Sequence, residues 1–292
     1  MSEIVVGLHD GAGSLGALHW AFQQAQVTGA RLTAVHVWRL PVHLEVALDP
    51  TTRTALADSF DAARSGPAPL MAAVGVSGQP GAVLVERAHG ADLLVVARNH
   101  HLLPHGSVSE YCLRHSLTPV AVIPDAPNRC TARPRCVVVG VDLTEQAAAA
   151  LRWAAQQARA SGAELVALHS WQAAACSLSG LGRLAKTRQG QQVHHEQRAQ
   201  RWVESVLGPS AADDLRLTVE HGAPLDHLLA WADQADVLVL PAPGHHAVPR
   251  LLTGSTSGQL AHLGLRPVVV VPTAKAAMPA ADRAPDRRRP TR

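Results

Sequence analysis

The sequence has little of several features on which other protein classes depend. Its 292 residues include four cysteines, two phenylalanines and one tyrosine. No C-x-x-C pair and no zinc-binding spacing occurs, so we interpret the cysteines as reduced thiols; they are Cys112, Cys130, Cys136 and Cys176. No apolar run reaches the roughly 18 residues of a membrane span. The chain begins with a strand-like run, not with a basic-then-apolar signal pattern, so we expect a cytoplasmic location and no membrane partner.

The sequence also lacks the signatures of common catalytic sites. It contains no P-loop pattern G-x-x-x-x-G-K-S/T, no G-x-S-x-G elbow and no paired carboxylates in corresponding loops. Histidine pairs occur at residues 100–101, 194–195 and 245–246, but no acid or cysteine stands at a metal-ligand spacing from them. We therefore predict no catalytic residues and no metal site.

The excess of positive charge is small and partly terminal. The net charge is +3, and the Pro- and Ala-rich residues 274–292 contain five arginines. This composition predicts a disordered basic tail. Arginines on such a tail more often aid solubility than bind nucleic acid, so we do not expect nucleic acid as a partner.

What the sequence does contain is an internal repeat. Residues 18–21 (LHWA) return 133 residues later as 151–154 (LRWA). Residues 91–95 (ADLLV) return 144 residues later as 235–239 (ADVLV), and 106–109 (GSVS) return 148 residues later as 254–257 (GSTS). The offset thus grows from 144 to 148, and the four residues that the second copy gains there fall in a loop between a strand and a helix. Two related domains are the natural prediction for a chain of this length.

Within each copy, apolar runs of strand length alternate with helical patterns. In the first copy we predict strands at 3–8, 31–38, 70–76, 92–97 and 119–123. We predict one helix that is capped by Ser14 and three more at 50–64, 81–89 and 106–115. The second copy repeats the order, with strands that include 236–240 and 267–271 and a longer helical region at 183–207. This alternation predicts an α/β fold with a parallel sheet.

One candidate site stands at the start of a helix. Gly254, Ser255, Thr256 and Ser257 follow the predicted strand at 236–240 and its loop. A glycine lets backbone approach a ligand closely, and hydroxyls beside free helix amides favour an anion such as phosphate. The bland alternative is an ordinary Ser/Thr helix cap.

A second glycine pattern suggests a different ligand. Residues 11–16 (GAGSLG) match the dinucleotide fingerprint between a strand and a helix. The second copy lacks these glycines at 140–145, and the next strand ends at Arg39, which suits a 2′-phosphate, with no acid for a ribose. We interpret the glycines as a flexible turn, with dinucleotide binding as an alternative.

Together these residues resemble two universal stress protein domains in tandem. The matching segments are 138–142 (VVGVD), 151–154 (LRWA), 162–165 (GAEL), 168–171 (LHSW) and 235–239 (ADVLV), and the resemblance covers roughly 1–273. It implies two doubly wound, five-stranded parallel-sheet domains of the adenine nucleotide alpha-hydrolase-like type, with strand order 3-2-1-4-5. We place domain 1 at 1–127, a linker at 128–134, domain 2 at 135–273 and the tail at 274–292.

The resemblance also implies a ligand. Nucleotide-binding members carry G-x-x-G, nine residues and then G-S/T, and Gly244, nine residues and Gly254-Ser255 match the second part of this pattern. The implied ligand is ATP in the second domain, with Mg²⁺ only alongside ATP and placed near Asp142. Asp142 would otherwise cap the following turn. The implied nucleoside, base, ribose and phosphate contacts are Val141, Asp142, Ser170, Gly244, Gly254, Ser255, Thr256 and Ser257.

The chain departs from that pattern in both copies. Pro241 stands at the first glycine, and Pro241 and Pro243 remove backbone donors from the phosphate loop. Ser170 stands where the family usually has valine. In the first copy, His9 replaces Asp142, and the loop at 97–105 is four residues shorter and lacks glycine. We expect a degenerate first site and leave the second open.

The resemblance therefore implies a stress-response regulator with at most weak ATP hydrolysis. The alternative is an interaction or dimerisation module that has lost nucleotide binding. The expected partners are an adenine nucleotide and an unidentified regulatory protein. The two halves are expected to form a pseudo-dimer through strands 120–123 and 268–271, and a homodimer of whole chains is left open.

Overall fold

The computed structural model describes residues 2–9, 12–38, 71–98, 107–124, 135–172, 188–242, 260 and 266–273. The predicted helix at 50–64, the linker, the helix opening at Gly254 and the basic tail lie outside these residues. The strands are β1 (Glu3–Leu8), β2 (Arg31–Trp38), β3 (Met71–Ser77), β4 (Leu93–Ala97), β5 (Val120–Ile123), β6 (Cys136–Val141), β7 (Glu164–Trp171), β8 (Arg216–His221), β9 (Val237–Pro241) and β10 (Val268–Val271). The helices are α1 (Ala12–Thr28), α2 (Pro80–Arg87), α3 (Val108–His115), α4 (Glu145–Ser161), α5 (Arg188–Leu207), α6 (Pro209–Asp213) and α7 (Pro224–Ala232).

Local sequence explains where the helices begin and end. Thr144 caps α4, because its hydroxyl accepts a hydrogen bond from the Ala147 amide, and Gly162 ends the helix with a left-handed φ of 72°. Proline occupies the first turn of α2, α6 and α7, where a missing amide hydrogen removes no helical bond.

The predicted cap of the first helix is wrong. Helix α1 begins at Ala12, two residues before Ser14. The buried Ser14 hydroxyl instead accepts from the His9 amide and donates to the His9 carbonyl, both at 2.7 Å. The side chain therefore closes the turn between β1 and α1, a task that local helix-start signals do not reveal.

The strands form one ten-stranded sheet in the order β3-β2-β1-β4-β5-β10-β9-β6-β7-β8. Among the strands that the structure describes, pairing is parallel within each half, as predicted, and antiparallel where β5 meets β10. The apolar edge strands at 120–123 and 268–271 thus cover one another, which removes the exposed edges that would otherwise favour aggregation.

Helices cover both faces of the sheet. On one face α1, α4 and α5 pack against alternate strand residues such as Val6 and Val139. On the other face α2, α3 and α7 pack against the intervening residues, such as Val5 and Val138. Each core contains residues of both halves, so the hydrophobic interior runs continuously across the seam between them.

The seam has an approximate two-fold axis. Ala121 pairs with Val269, and these residues occupy the same position in the two copies. Gln24 and Gln157 are also equivalent, and the Gln157 Nε2 donates to the Gln24 Oε1 between α1 and α4. Both side chains are buried, with 1% and 7% of their surface exposed. A buried pair of amide side chains, one from the same position of each copy, therefore lies at the seam between the two halves.

Candidate functional site

The second half has a topological switch point between β6 and β9. Strands β7 and β8 extend from β6 to one side, and β10 extends from β9 to the other. In such sheets a crevice opens at the carboxyl ends of the two central strands, and ligands bind there. Val141 ends β6 and Asp142 follows it, so two of the residues named from the sequence lie at this edge.

Val141 is tied to the neighbouring strand through its carbonyl. The side chain of Val141 is buried, and its oxygen lies 2.9 Å from the Nδ1 of His169, which pairs with it in register on β7. Burial of His169 lowers the pKa of the imidazole, and Arg198 adds to this, whereas the Val141 carbonyl and Asp142 oppose it. A neutral imidazole with hydrogen on Nδ1 thus donates to Val141 and joins the ends of β6 and β7.

Asp142 is exposed and organises the turn that follows β6. Its Oδ1 accepts from the Thr144 amide at 3.1 Å and from the Thr144 hydroxyl. Thr144 in turn caps α4. Leu143 between them has a φ of 61°, the left-handed conformation that a tight turn requires. Asp142 therefore caps the turn as expected, and one of its two carboxylate oxygens accepts the hydrogen bonds of that cap.

Ser170 lies near the carboxyl end of β7, between His169 and Trp171. It is half-buried and pairs with Glu220 of the edge strand β8. The sheet therefore brings Ser170 to the same edge as Val141 and Asp142, one strand away.

Gly244, Gly254, Ser255, Thr256 and Ser257 lie outside the described residues, so the phosphate side of the site stays a prediction. Pro241, assigned to the phosphate loop from the sequence, is instead the last residue of β9 and pairs with Val271. The amide of the next residue, Ala242, donates to the Val271 carbonyl at 2.9 Å. The strand thus extends one residue further than predicted, because pairing with β10 engages its end.

The corresponding edge of the first half is arranged differently. Both backbone groups of His9 are engaged by the Ser14 hydroxyl, as described above. Ser107, the second residue of the GSVS motif, accepts a hydrogen bond from the Glu110 amide at 3.1 Å and lies 3.0 Å from the Ser109 hydroxyl. This motif therefore serves as an ordinary helix cap in the first half.

A groove of about 660 Å³ lies between α5 and the edge strand β8, and its lining residues are Glu196, Gln197, Gln200, Arg201, Leu217 and Val219. Among the described residues, no cluster of three or more His, Cys, Asp or Glu side chains could hold a metal ion, and no helix has the length and apolarity to cross a membrane.

Comparison with known proteins identifies the family. The model of the universal stress protein family matches this chain twice, over residues 1–124 and 135–272. The chain belongs to the universal stress protein family. A universal stress protein of Mycobacterium tuberculosis (strain H37Rv) is 28% identical over 290 residues, which cover 91% of this chain and 95% of the relative. Another from Mycobacterium bovis is 30% identical over 177 residues, or 56% of this chain and 52% of the relative.

Solved structures agree on the architecture. The crystal structure of a universal stress protein from Archaeoglobus fulgidus covers 92% of this chain and 98% of its own, with a TM-score of 0.66 and 16% identity. A putative universal stress protein from Pseudomonas aeruginosa covers 94% of both chains, with a TM-score of 0.59 and 16% identity. At these identities the likeness supports the α/β fold and its tandem arrangement.

The sequence reasoning missed one group of interacting residues near the edge. The sequence marks His195 only as half of a histidine pair, yet its ring stacks on Trp171 at the end of β7, beside Ser170. The helical periodicity of α5 could have suggested which face His195 occupies, but not which strand that face covers.

Proposed function

We propose that this protein is a nucleotide-binding regulator that takes an adenine nucleotide, most simply ATP, at the switch point of its second half. The observation that carries the proposal is the position of Val141 and Asp142 beside β9 at the carboxyl edge of the sheet. This is the edge at which doubly wound sheets bind ligands. The sequence adds Gly254, Ser255, Thr256 and Ser257 as a helix start suited to phosphate.

The proposed roles differ from residue to residue. Val141 and Asp142 contact the nucleoside, Ser170 offers backbone atoms to the base, and Gly244 with the 254–257 segment holds ribose and phosphates. Asp142 accepts hydrogen bonds on Oδ1 and is exposed, so its carboxylate could also approach a Mg²⁺ ion that arrives with ATP. These residues bind and position the nucleotide; the proposed function requires no turnover.

The proposal confines binding to the second half. In the first half His9 replaces the aspartate, and its backbone groups are occupied by Ser14. Nucleotide binding in the second half would then affect the first half as well, because the two halves are joined through β5 and β10 and through common hydrophobic cores. The proposal includes a regulatory protein partner that distinguishes the nucleotide-bound form from the nucleotide-free form.

A matched pair of glycine variants tests the proposal. Gly254→Val places a side chain in the GSTS segment of the second copy, and Gly106→Val makes the same change in the GSVS segment of the first copy, 148 residues earlier. With ATP and Mg²⁺ at 100 times Kd, wild-type protein should gain about 2.7 kcal/mol in unfolding free energy. Gly254→Val should lose this gain and Gly106→Val should keep it, as measured by calorimetric binding and thermal melting.

One alternative also has structural support. One carboxylate oxygen of Asp142 already accepts from Thr144, and the two halves pair through β5 and β10 and share both hydrophobic cores, as expected of an interaction module that has lost its ligand. That module predicts no calorimetric signal with ATP and no adenine nucleotide released from purified protein in mass spectrometry. A melting shift with NADPH that Gly13→Val removes would instead indicate the dinucleotide site.

A further inference from the structure

A group of polar and aromatic side chains joins the first half of α5, residues 188–198, to the ends of β7 and β8. The Trp171 Nε1 donates to the Gln192 Oε1 at 2.9 Å. The Gln192 Nε2 donates to the Val219 carbonyl of β8 and to the Glu196 Oε1, both at 2.8 Å. Gln192 therefore ties the helix to both strands at the sheet edge.

His195 completes this group. Its ring stacks on Trp171 with centroids 4.5 Å apart and an angle of 9° between the planes. Three further imidazoles lie nearby: His221 is edge-on to Trp171 at 4.6 Å, and His169 and His194 each lie 5.9 Å from His195. The His195 Nδ1 is buried and has no hydrogen-bond partner. The ring thus packs against the strand end with one nitrogen that has no acceptor for a second N–H.

The charges around His195 oppose a positive ring. Burial lowers the pKa of His195, and His169 of β7 and His194 and Arg198 of α5 lower it further. Two acidic groups lie on α5 and on the turn after β6: the Glu196 Oε1 accepts from Gln192, and the Asp142 Oδ1 accepts from Thr144. Both keep their negative charge, but neither is among the groups that shift the pKa of His195. Glu220 of β8 follows Val219, and β strands alternate their side chains between faces, so it belongs to the face opposite Val219.

One interaction acts in the other direction. The face of an indole attracts a cation, and Trp171 presents its face to His195. Protonation would therefore strengthen the stack itself, while it places a positive charge on a half-buried ring beside Arg198 and two further histidines. The like charges, together with the buried Nδ1 that would carry an N–H without an acceptor, are taken to outweigh this attraction.

We propose that His195 is a proton-operated latch that holds the first half of α5 on β7 and β8 when neutral and releases it when protonated. The release would expose the sheet edge next to Ser170, where β7 ends. This device goes beyond the proposed function and does not depend on nucleotide binding, because every contact on which it rests lies between α5, β7 and β8.

The sign follows from proton linkage. The released helix exposes His195 to water, where its pKa returns to about 6.5, whereas the closed form resists protonation. The open form therefore binds the extra proton, and acid favours opening. If the closed form stays neutral, opening at pH 5.5 increases by at most about tenfold over its value well above pH 6.5.

Hydrogen exchange measures this opening directly. Peptides from residues 188–207 of the full chain are compared at about pH 7.5 and about pH 5.5, after correction for the intrinsic pH dependence of exchange. Exchange of α5 should increase by up to about tenfold at the lower pH, whereas the peptide of α4, residues 145–161, should not change. Unchanged or slower exchange of α5 in acid would overturn the proposal.

His195→Phe removes the titrating nitrogen and retains a ring for Trp171, so this variant should lose the acid response of α5. The matched control is His115→Gln, because His115 stacks on Tyr111 at 4.1 Å but is exposed and lies in the first half. The control should respond to acid as wild type does. If His195→Phe does not fold, an NMR titration of the wild-type His195 ring decides, since a midpoint at or above about 6.5 would contradict a ring held neutral.

Discussion

Replacement of the buried amide pair at the seam, Gln24 and Gln157, should reveal how the two halves recognise each other. Gln157 donates to Gln24 in a nearly inaccessible contact between α1 and α4. The Gln24 Nε2 has no hydrogen-bond partner in this arrangement. Methionine has a similar length and no amide, so Gln→Met variants remove the hydrogen bond with little change in volume.

The two single variants should differ. Gln157→Met leaves both polar atoms of the Gln24 amide buried and unpaired, at a cost of about 1–3 kcal/mol for each group that loses its partner. Gln24→Met also leaves Gln157 unpaired, but it removes the already unpartnered Gln24 Nε2 and should therefore cost less. The double variant replaces both partners with apolar groups and should be nearly neutral or stabilising.

Urea unfolding followed by circular dichroism measures these free energies. The double-mutant cycle should show a coupling energy of about 1–3 kcal/mol, so that the double variant is more stable than the sum of the single effects predicts. Gln156→Met provides the control, because Gln156 is exposed on the same helix and its replacement should change stability by at most about 0.5 kcal/mol. Additive effects, or a greater loss for Gln24→Met than for Gln157→Met, would refute the reasoning.

Two further predictions concern local features. Thr144→Ala removes both the cap of α4 and a partner of Asp142, so urea unfolding should show a loss of about 1 kcal/mol, and an unchanged midpoint would contradict the capping role. Burial raises the pKa of Cys112 to about 12, and burial together with Glu164 and Asp236 raises that of Cys136 to about 11. Since the thiolate is the reactive form, peptide mass spectrometry should find both unmodified by iodoacetamide at neutral pH until urea unfolds the chain, and rapid native labelling would contradict this.

Much of the fold was predictable because it depends on short-range patterns. The apolar runs that become β1, β4 and β6 are buried on both faces, and the repeat placed corresponding strands in both copies. Strand and helix ends were less accurate: Ser14 closes a turn instead of capping α1, and β9 extends to Pro241. Ser14 bonds to the backbone of His9, five residues before it and outside the helix-start signal, and the end of β9 is decided by its pairing with the distant strand β10.

The candidate site was predictable in part. The resemblance led to Val141, Asp142 and Ser170, and the sheet brings these three to one edge. The hydrogen bond between His169 and Val141, and the stack of His195 on Trp171, could not be predicted, because the residues involved are separated by at least 24 positions in the chain and meet only through packing.

The sequence by itself determined that there are two related α/β halves, because periodic burial and repetition are properties of the order of residues. Only the tertiary structure decided which equivalent residues meet across the seam, Ala121 with Val269 and Gln24 with Gln157. It also decided which imidazoles are surrounded by other rings and by Arg198, and so resist a charge. Pairing and desolvation depend on distances in space, and a residue's place in the chain does not specify them.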